Sequence, residues 1–150
     1  MKENNTHKSR AFIKNYFDLY SSRNLEVIPL FDDNFIGLDG ISQNIYNKEG
    51  WIKALHVDYK QINYPFDISI VDFEKRETEN GLLIIAVITF WDLPFFKDFP
   101  EIDKMRTVFI LQPHQASFRI VHISNSIGLV TVNRTDVYPK GLIEILRSFR

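Results

Sequence analysis

The chain has 150 residues, 45% hydrophobic and 25% charged, a balance that supports one compact domain and excludes the disordered class. Eighteen basic against nineteen acidic residues leave a net charge of -1, which provides no broad positive field for a nucleic-acid backbone. Cysteine is absent, so disulfides and thiolate nucleophiles are removed, and a structural zinc site would have to come from scattered histidines and carboxylates. No metal or other cofactor is expected. The aromatic load is high: 13 Phe, 6 Tyr and 2 Trp, against 6 Gly and 6 Pro.

Residues 1–8 read as a polar tail without a signal-peptide core. From Ser9 to Ser22, the residues Phe12, Ile13, Tyr16, Phe17, Leu19 and Tyr20 recur at helical spacing and predict a long amphipathic helix. Ser21 to Asn24 break it. Leu25 to Phe31 reads as a short second helix that Pro29 distorts, and Phe35 to Leu38 as a brief strand ended by Asp39 and Gly40. Asn47 is placed to cap a third helix, on which Trp51, Leu55, Tyr59 and Ile62 share one face. Pro65 then forces extended chain.

Phe66, Ile68 and Ile70 alternate with polar residues until the phase shifts at Val71 and Phe73, which implies a bulge. Asn80-Gly81 is a hairpin signal leading into Leu82 to Trp91. That run is apolar on both faces and about half as long as a membrane span, so a soluble, cytoplasmic domain is expected, with no membrane contact. Asp92 to Pro100 is a ring-rich crossover, able either to cover a pocket or to border an interface. Met105 to Leu111 and Phe118 to Ser124 are two further strands, joined through Pro113, His114, Gln115 and Ala116. Leu142, Ile145, Leu146 and Phe149 form a terminal helical stripe, so residues 140–150 read as a last helix or the start of a linker. Helices first and then a four-strand meander make an α+β fold, a cone-like curved antiparallel sheet wrapped around the N-terminal helices. A single domain spans 1–150.

This order, together with Phe118-Arg119-Ile120-Val121-His122-Ile123-Ser124-Asn125-Ser126 and the preceding Arg106-Thr107-Val108-Phe109, resembles the nuclear-transport-factor-two-like (SnoaL-like, cystatin-like) superfamily. Two branches share the closing hairpin: the association domain of calcium/calmodulin-dependent kinase, and bacterial sensory domains found beside signalling output modules. Asp39-Gly40 and Asp136-Val137-Tyr138-Pro139 are similar to the sensory set. Ser124 and Ser126 depart from its His-x-His-x-Ser-Asn-Pro strand end. The resemblance implies homodimerisation through the sheet, and its enzymatic members imply ketosteroid-isomerase-like or dehydratase chemistry.

Strand alternation puts Phe118, Ile120, His122 and Ser124 on one face, assigned here to the pocket. His122 there is either a ligand-binding or general-base imidazole or a satisfied polar residue in the core. Asp58 is the nearest acidic partner, at the edge of its helix's buried face. Arg106 either clamps a ligand carboxylate from inside the sheet or serves an interface from outside it. Tyr16, Tyr20, Trp51 and Tyr59 either line the pocket or are plain core. The doubly apolar Leu82 to Trp91 strand points to a homodimer seam on the outer sheet face. The leading reading is a non-catalytic domain that binds an unknown small organic ligand, dimerises and serves a signalling output partner. The alternatives are a small isomerase, dehydratase or cyclase with His122 as general base, and a structural oligomerisation module.

Overall fold

A computed structural model describes residues 2–98, 104–127 and 147–148. Helix α1 (Lys2–Ser21) is followed by a 3₁₀ turn (Leu25–Leu30), strands β1 (Phe31–Asp39) and β2 (Asn44–Asn47), and helix α2 (Lys48–Gln61). Strands β3 (Ile68–Glu77) and β4 (Leu83–Trp91), the short helix α3 (Pro94–Asp98), β5 (Lys104–His114) and β6 (Ser117–Ile127) complete it. The six strands form one curved, unclosed sheet in the order β2-β1-β6-β5-β4-β3, with the helices packed on it. Every neighbouring pair is antiparallel except β1 with β6, which is parallel. This is the expected α+β arrangement with its four-strand meander.

The helix stripe explains the core. Phe12, Ile13, Tyr16 and Phe17 are buried along α1, where Tyr16 and Phe17 both meet the Phe109 ring edge-on and Phe12 meets Phe118. The inner sheet face supplies Leu83, Ile85 and Val87 of β4 and Phe109 and Leu111 of β5 to the same core. Edge-to-face ring pairs add to the area term, so much of the aromatic load is hydrophobic packing.

Several boundaries differ from the sequence reading. The segment expected as a polar tail belongs to α1, which begins at Lys2. β1 starts at Phe31 rather than Phe35, and β2, which has no alternating apolar signal, pairs with it as a short edge strand. The crossover after β4 contains α3. Pro113 lies within β5, leaving a two-residue turn in which Gln115 takes positive φ. The Asn80-Gly81 hairpin is a longer turn closed by Thr78 and Leu82, with Gly81 alone of that pair at positive φ. Asn47 caps α2 as expected, its side chain accepting from the Gly50 N–H at 2.9 Å. Tyr138 and the terminal stripe Leu142, Ile145, Leu146 and Phe149 lie outside the described residues.

Besides a register shift in β1 between Phe31 and Ile36, bulges in β3 and β6 set which side chains of those strands face inward. The bulge at Val71, between the Ile70–Thr89 and Asp72–Ile88 pairs, is where the phase shift of β3 put it. A second falls at Val121, because Leu111 pairs with Ile120 while Ile110 pairs with His122. One extra residue exchanges the two faces of everything beyond it. Ile123 is therefore buried against the core, and His122 and Ser124 turn to the outer face beside Ile110 and Val108.

Candidate functional site

A cavity of about 640 Å³ opens between the helices and the inner sheet face, within the roughly 300–1,000 Å³ range of small-molecule pockets. Tyr16, Phe17 and Tyr20 of α1 form one wall, and Trp51, Ala54, Leu55 and Asp58 of α2 another. Trp91, Leu93 and Phe96 close a third side, and Met105, Thr107, Ile123, Asn125 and Ile127 form the sheet floor. Of the two roles open to the ring-rich crossover, Leu93 and Phe96 take the pocket wall. Asp39, Ile41, Ser42 and Tyr46 lie at the β1–β2 end.

The expected site residues divide sharply. Tyr16, Tyr20 and Trp51 line the cavity. Tyr59 does not: its ring packs on Tyr20, and its hydroxyl donates to the Asn24 carbonyl at 3.2 Å. His122 and Ser124 are turned out by the Val121 bulge, contrary to the uniform alternation expected for that strand. The His122 ring instead hydrogen-bonds through Nδ1 to the Ile36 carbonyl at 2.8 Å. Arg106 is exposed on the outer face opposite Ile88 and Ser126, so its interface alternative matches its placement and a clamp inside the cavity does not.

The polar centre of the cavity is Asp58. The Tyr20 hydroxyl donates a hydrogen bond to its Oδ2, and Arg23 Nη1 approaches the same oxygen at 3.4 Å. Arg23 ends α1 in a Schellman motif: its N–H bonds the Tyr20 carbonyl at 3.0 Å, and Asn24 N–H the Leu19 carbonyl at 2.9 Å. The residue at that position adopts positive φ and is usually glycine, yet Arg23 sits there with φ 60. Its side chain explains the exception. The guanidinium lies 4.5 Å from the Tyr20 and Tyr59 ring centres and 4.8 Å from that of Phe66, with 9% side-chain exposure. Nε and Nη2 are buried without hydrogen-bond partners, so the ring faces supply their contacts.

Burial and the neighbouring acid hold these phenols neutral. Tyr20 is raised well above the ordinary tyrosine value, first by desolvation and then by the Asp58 charge and hydrogen bond. Tyr16 is also raised, chiefly by burial. Tyr59 is pushed up to about 12 by desolvation, with Arg23 opposing. The cavity thus offers neutral hydroxyl and ring surfaces around the Asp58 carboxylate, with Asp39 at its β1–β2 end.

Sequence spacing identified the α1 and α2 rings but left Asp58 at the edge of its helix and gave Arg23 no role. An arginine in a polar Ser-Ser-Arg-Asn break carries no local sign that it will fold back under three rings. Among the described residues, no group of three His, Asp or Glu side chains is placed to hold a metal ion, and no helix is long and apolar enough to cross a membrane.

No protein-family profile and no curated protein sequence matches the chain. Solved structures do. A cystatin-like-fold protein from Caulobacter vibrioides is similar with TM-score 0.66 and 18% identity over 95% of this chain and 97% of that one. An NTF2-like protein of unknown function from Pseudomonas putida has TM-score 0.69 and 12% identity, covering 89% and 95%. An NTF2-like protein from Cytophaga hutchinsonii has TM-score 0.57 and 10% identity, covering 85% and 98%. The chain therefore has the cystatin-like, NTF2-like fold, as the closing hairpin and element order led us to expect.

Proposed function

We propose that this protein is a non-catalytic, dimerising domain that binds a small organic molecule between its helices and sheet. The observation that carries the reading is the open cavity of about 640 Å³. A purely structural module would fill that space with its own aromatic side chains; here they line it. Dry ring surface with a few fixed polar groups is the usual composition of a ligand site. Against the isomerase, dehydratase or cyclase reading stands the position of His122, which the register puts on the outer sheet face away from the cavity, so a base among the described lining residues would have to be a carboxylate, Asp58 or Asp39.

Homodimerisation is supported by the outer sheet face. Ile36, Leu38, Ile45, Ile84 and Val108 are exposed large apolar residues, and the register joins them into a patch running from β2 to β4. A second copy would bury that patch. A sensory or regulatory role, in which ligand or assembly state reaches an output partner, follows from the resemblance of the closing strand to the bacterial sensory set, and the cytoplasm is the compartment proposed.

The test is a thermal-shift screen with a panel of small ring compounds of differing charge. At least one class is expected to raise Tm with saturable dose dependence, as binding to the folded state requires. Indifference to the whole panel would overturn the binding reading.

A further inference from the structure

Resting on the proposed binding role, the charge and ring pattern identifies the ligand class. We infer that the cavity takes a hydrophobic amine or ammonium ion, its cationic head held by Asp58 and its apolar body by the surrounding rings.

The lining is electrically one-sided. Among the described residues it contains the carboxylates of Asp58 and Asp39 and no Lys, Arg or His. Asp39 is internally engaged: it accepts from the Ile41 and Ser42 N–H groups and, at 2.6 Å, from the Ser42 hydroxyl. Asp58 is different. Tyr20 and Arg23 both address Oδ2, and among the described residues no hydrogen bond reaches Oδ1. Its side chain keeps 31% exposure and lines the cavity.

Arg23 supports this assignment although it is a cation. Its guanidinium is in the Tyr20–Tyr59–Phe66 stack and does not line the cavity. It therefore offsets the cost of a half-buried carboxylate while Asp58 meets the ligand. An ammonium donor gains a charge-assisted hydrogen bond that a neutral alcohol does not. The lining also includes the rings of Tyr16, Trp51 and Trp91, and aromatic rings attract cations where an anion has no such gain. A carboxylate ligand would meet Asp58 with no cation to compensate among the described lining residues.

The experiment titrates the full chain at neutral pH with adamantylmethylammonium, adamantylmethanol and adamantane carboxylate, followed by tryptophan emission. The ammonium compound should bind about tenfold or more tighter than the alcohol, and the carboxylate weakest. Asp58→Asn should abolish the preference while retaining alcohol binding. Gln61→Lys, which adds a cation at an exposed lining position and does not disturb the Arg23 stack, should weaken the ammonium compound and strengthen the carboxylate. Equal binding of ammonium and alcohol, or a preference for the carboxylate, would overturn the ligand class and leave the binding role standing. No binding of any of the three would count against the pocket itself.

Discussion

Trp51 occupies the space that a side chain at residue 37 would need. A Cβ added to Gly37 would overlap the six-membered ring of Trp51 and lie 2.9 Å from the Phe35 ring. The bare backbone of β1 thus lets α2 settle on the sheet and brings the Trp51 and Asp58 side of the helix to the cavity. Gly37→Ala is expected to cost about 1–3 kcal/mol through forced repacking. Chemical denaturation measures it; an unchanged midpoint would show that α2 can shift without loss.

Arg23 gives a paired prediction. Arg23→Ala removes three ring contacts and one ion-pair partner, and is expected to cost about 2 kcal/mol. Arg23→Gly removes the same contacts but suits the positive φ, so it should be about 1 kcal/mol less destabilising than alanine. Equal losses for the two variants would argue against backbone strain at this helix end.

Alkaline pH should destabilise the fold. The raised phenols of Tyr16, Tyr20 and Tyr59 keep their protons in the folded state after they would be lost in the unfolded chain. The folded state then binds more protons, so stability is complete below about pH 10 and falls as pH rises. For Tyr59 the fall runs to about 12. Ultraviolet titration should show the tyrosinate absorbance of these three residues arriving late and together with unfolding. Ionisation of all the tyrosines at ordinary pH in the native protein would contradict this.

The outer face makes an assembly prediction. Val108 sits within the exposed apolar patch, opposite Ala86 and Ser124, and Val108→Glu would bury an unpaired charge in any seam formed there. Sedimentation should give a dimer for the natural chain and a folded monomer for the variant. A monomeric natural chain would contradict dimerisation, and an unaffected dimer would place the seam elsewhere.

Helix faces were legible in the sequence because a stripe such as Phe12 to Tyr20 repeats a pattern that packing cannot easily override. The Val71 bulge was legible too, since the apolar phase visibly changes there. The Val121 bulge was not: Ile120, Val121 and Ile123 are all apolar, so the strand looks the same in either phase. That one residue moved His122 and Ser124 from the expected pocket to the opposite face. Asp58 and Arg23 escaped for a different reason, because their relationship spans 35 residues and depends on a helix end turning back toward α2.

A ligand seated between the helices and the sheet would report directly on the indole N–H signals of nitrogen-edited NMR. Both tryptophans of the chain, Trp51 and Trp91, line the cavity, and the Trp91 indole N–H donates to Thr89 Oγ1 at 2.9 Å. Adamantylmethylammonium should move both signals in one saturable transition, and Ala54→Phe, which fills the space from α2, should abolish the response in a protein that remains folded. Binding that leaves both indole signals in place, or that persists unchanged in Ala54→Phe, would contradict a ligand site in this cavity.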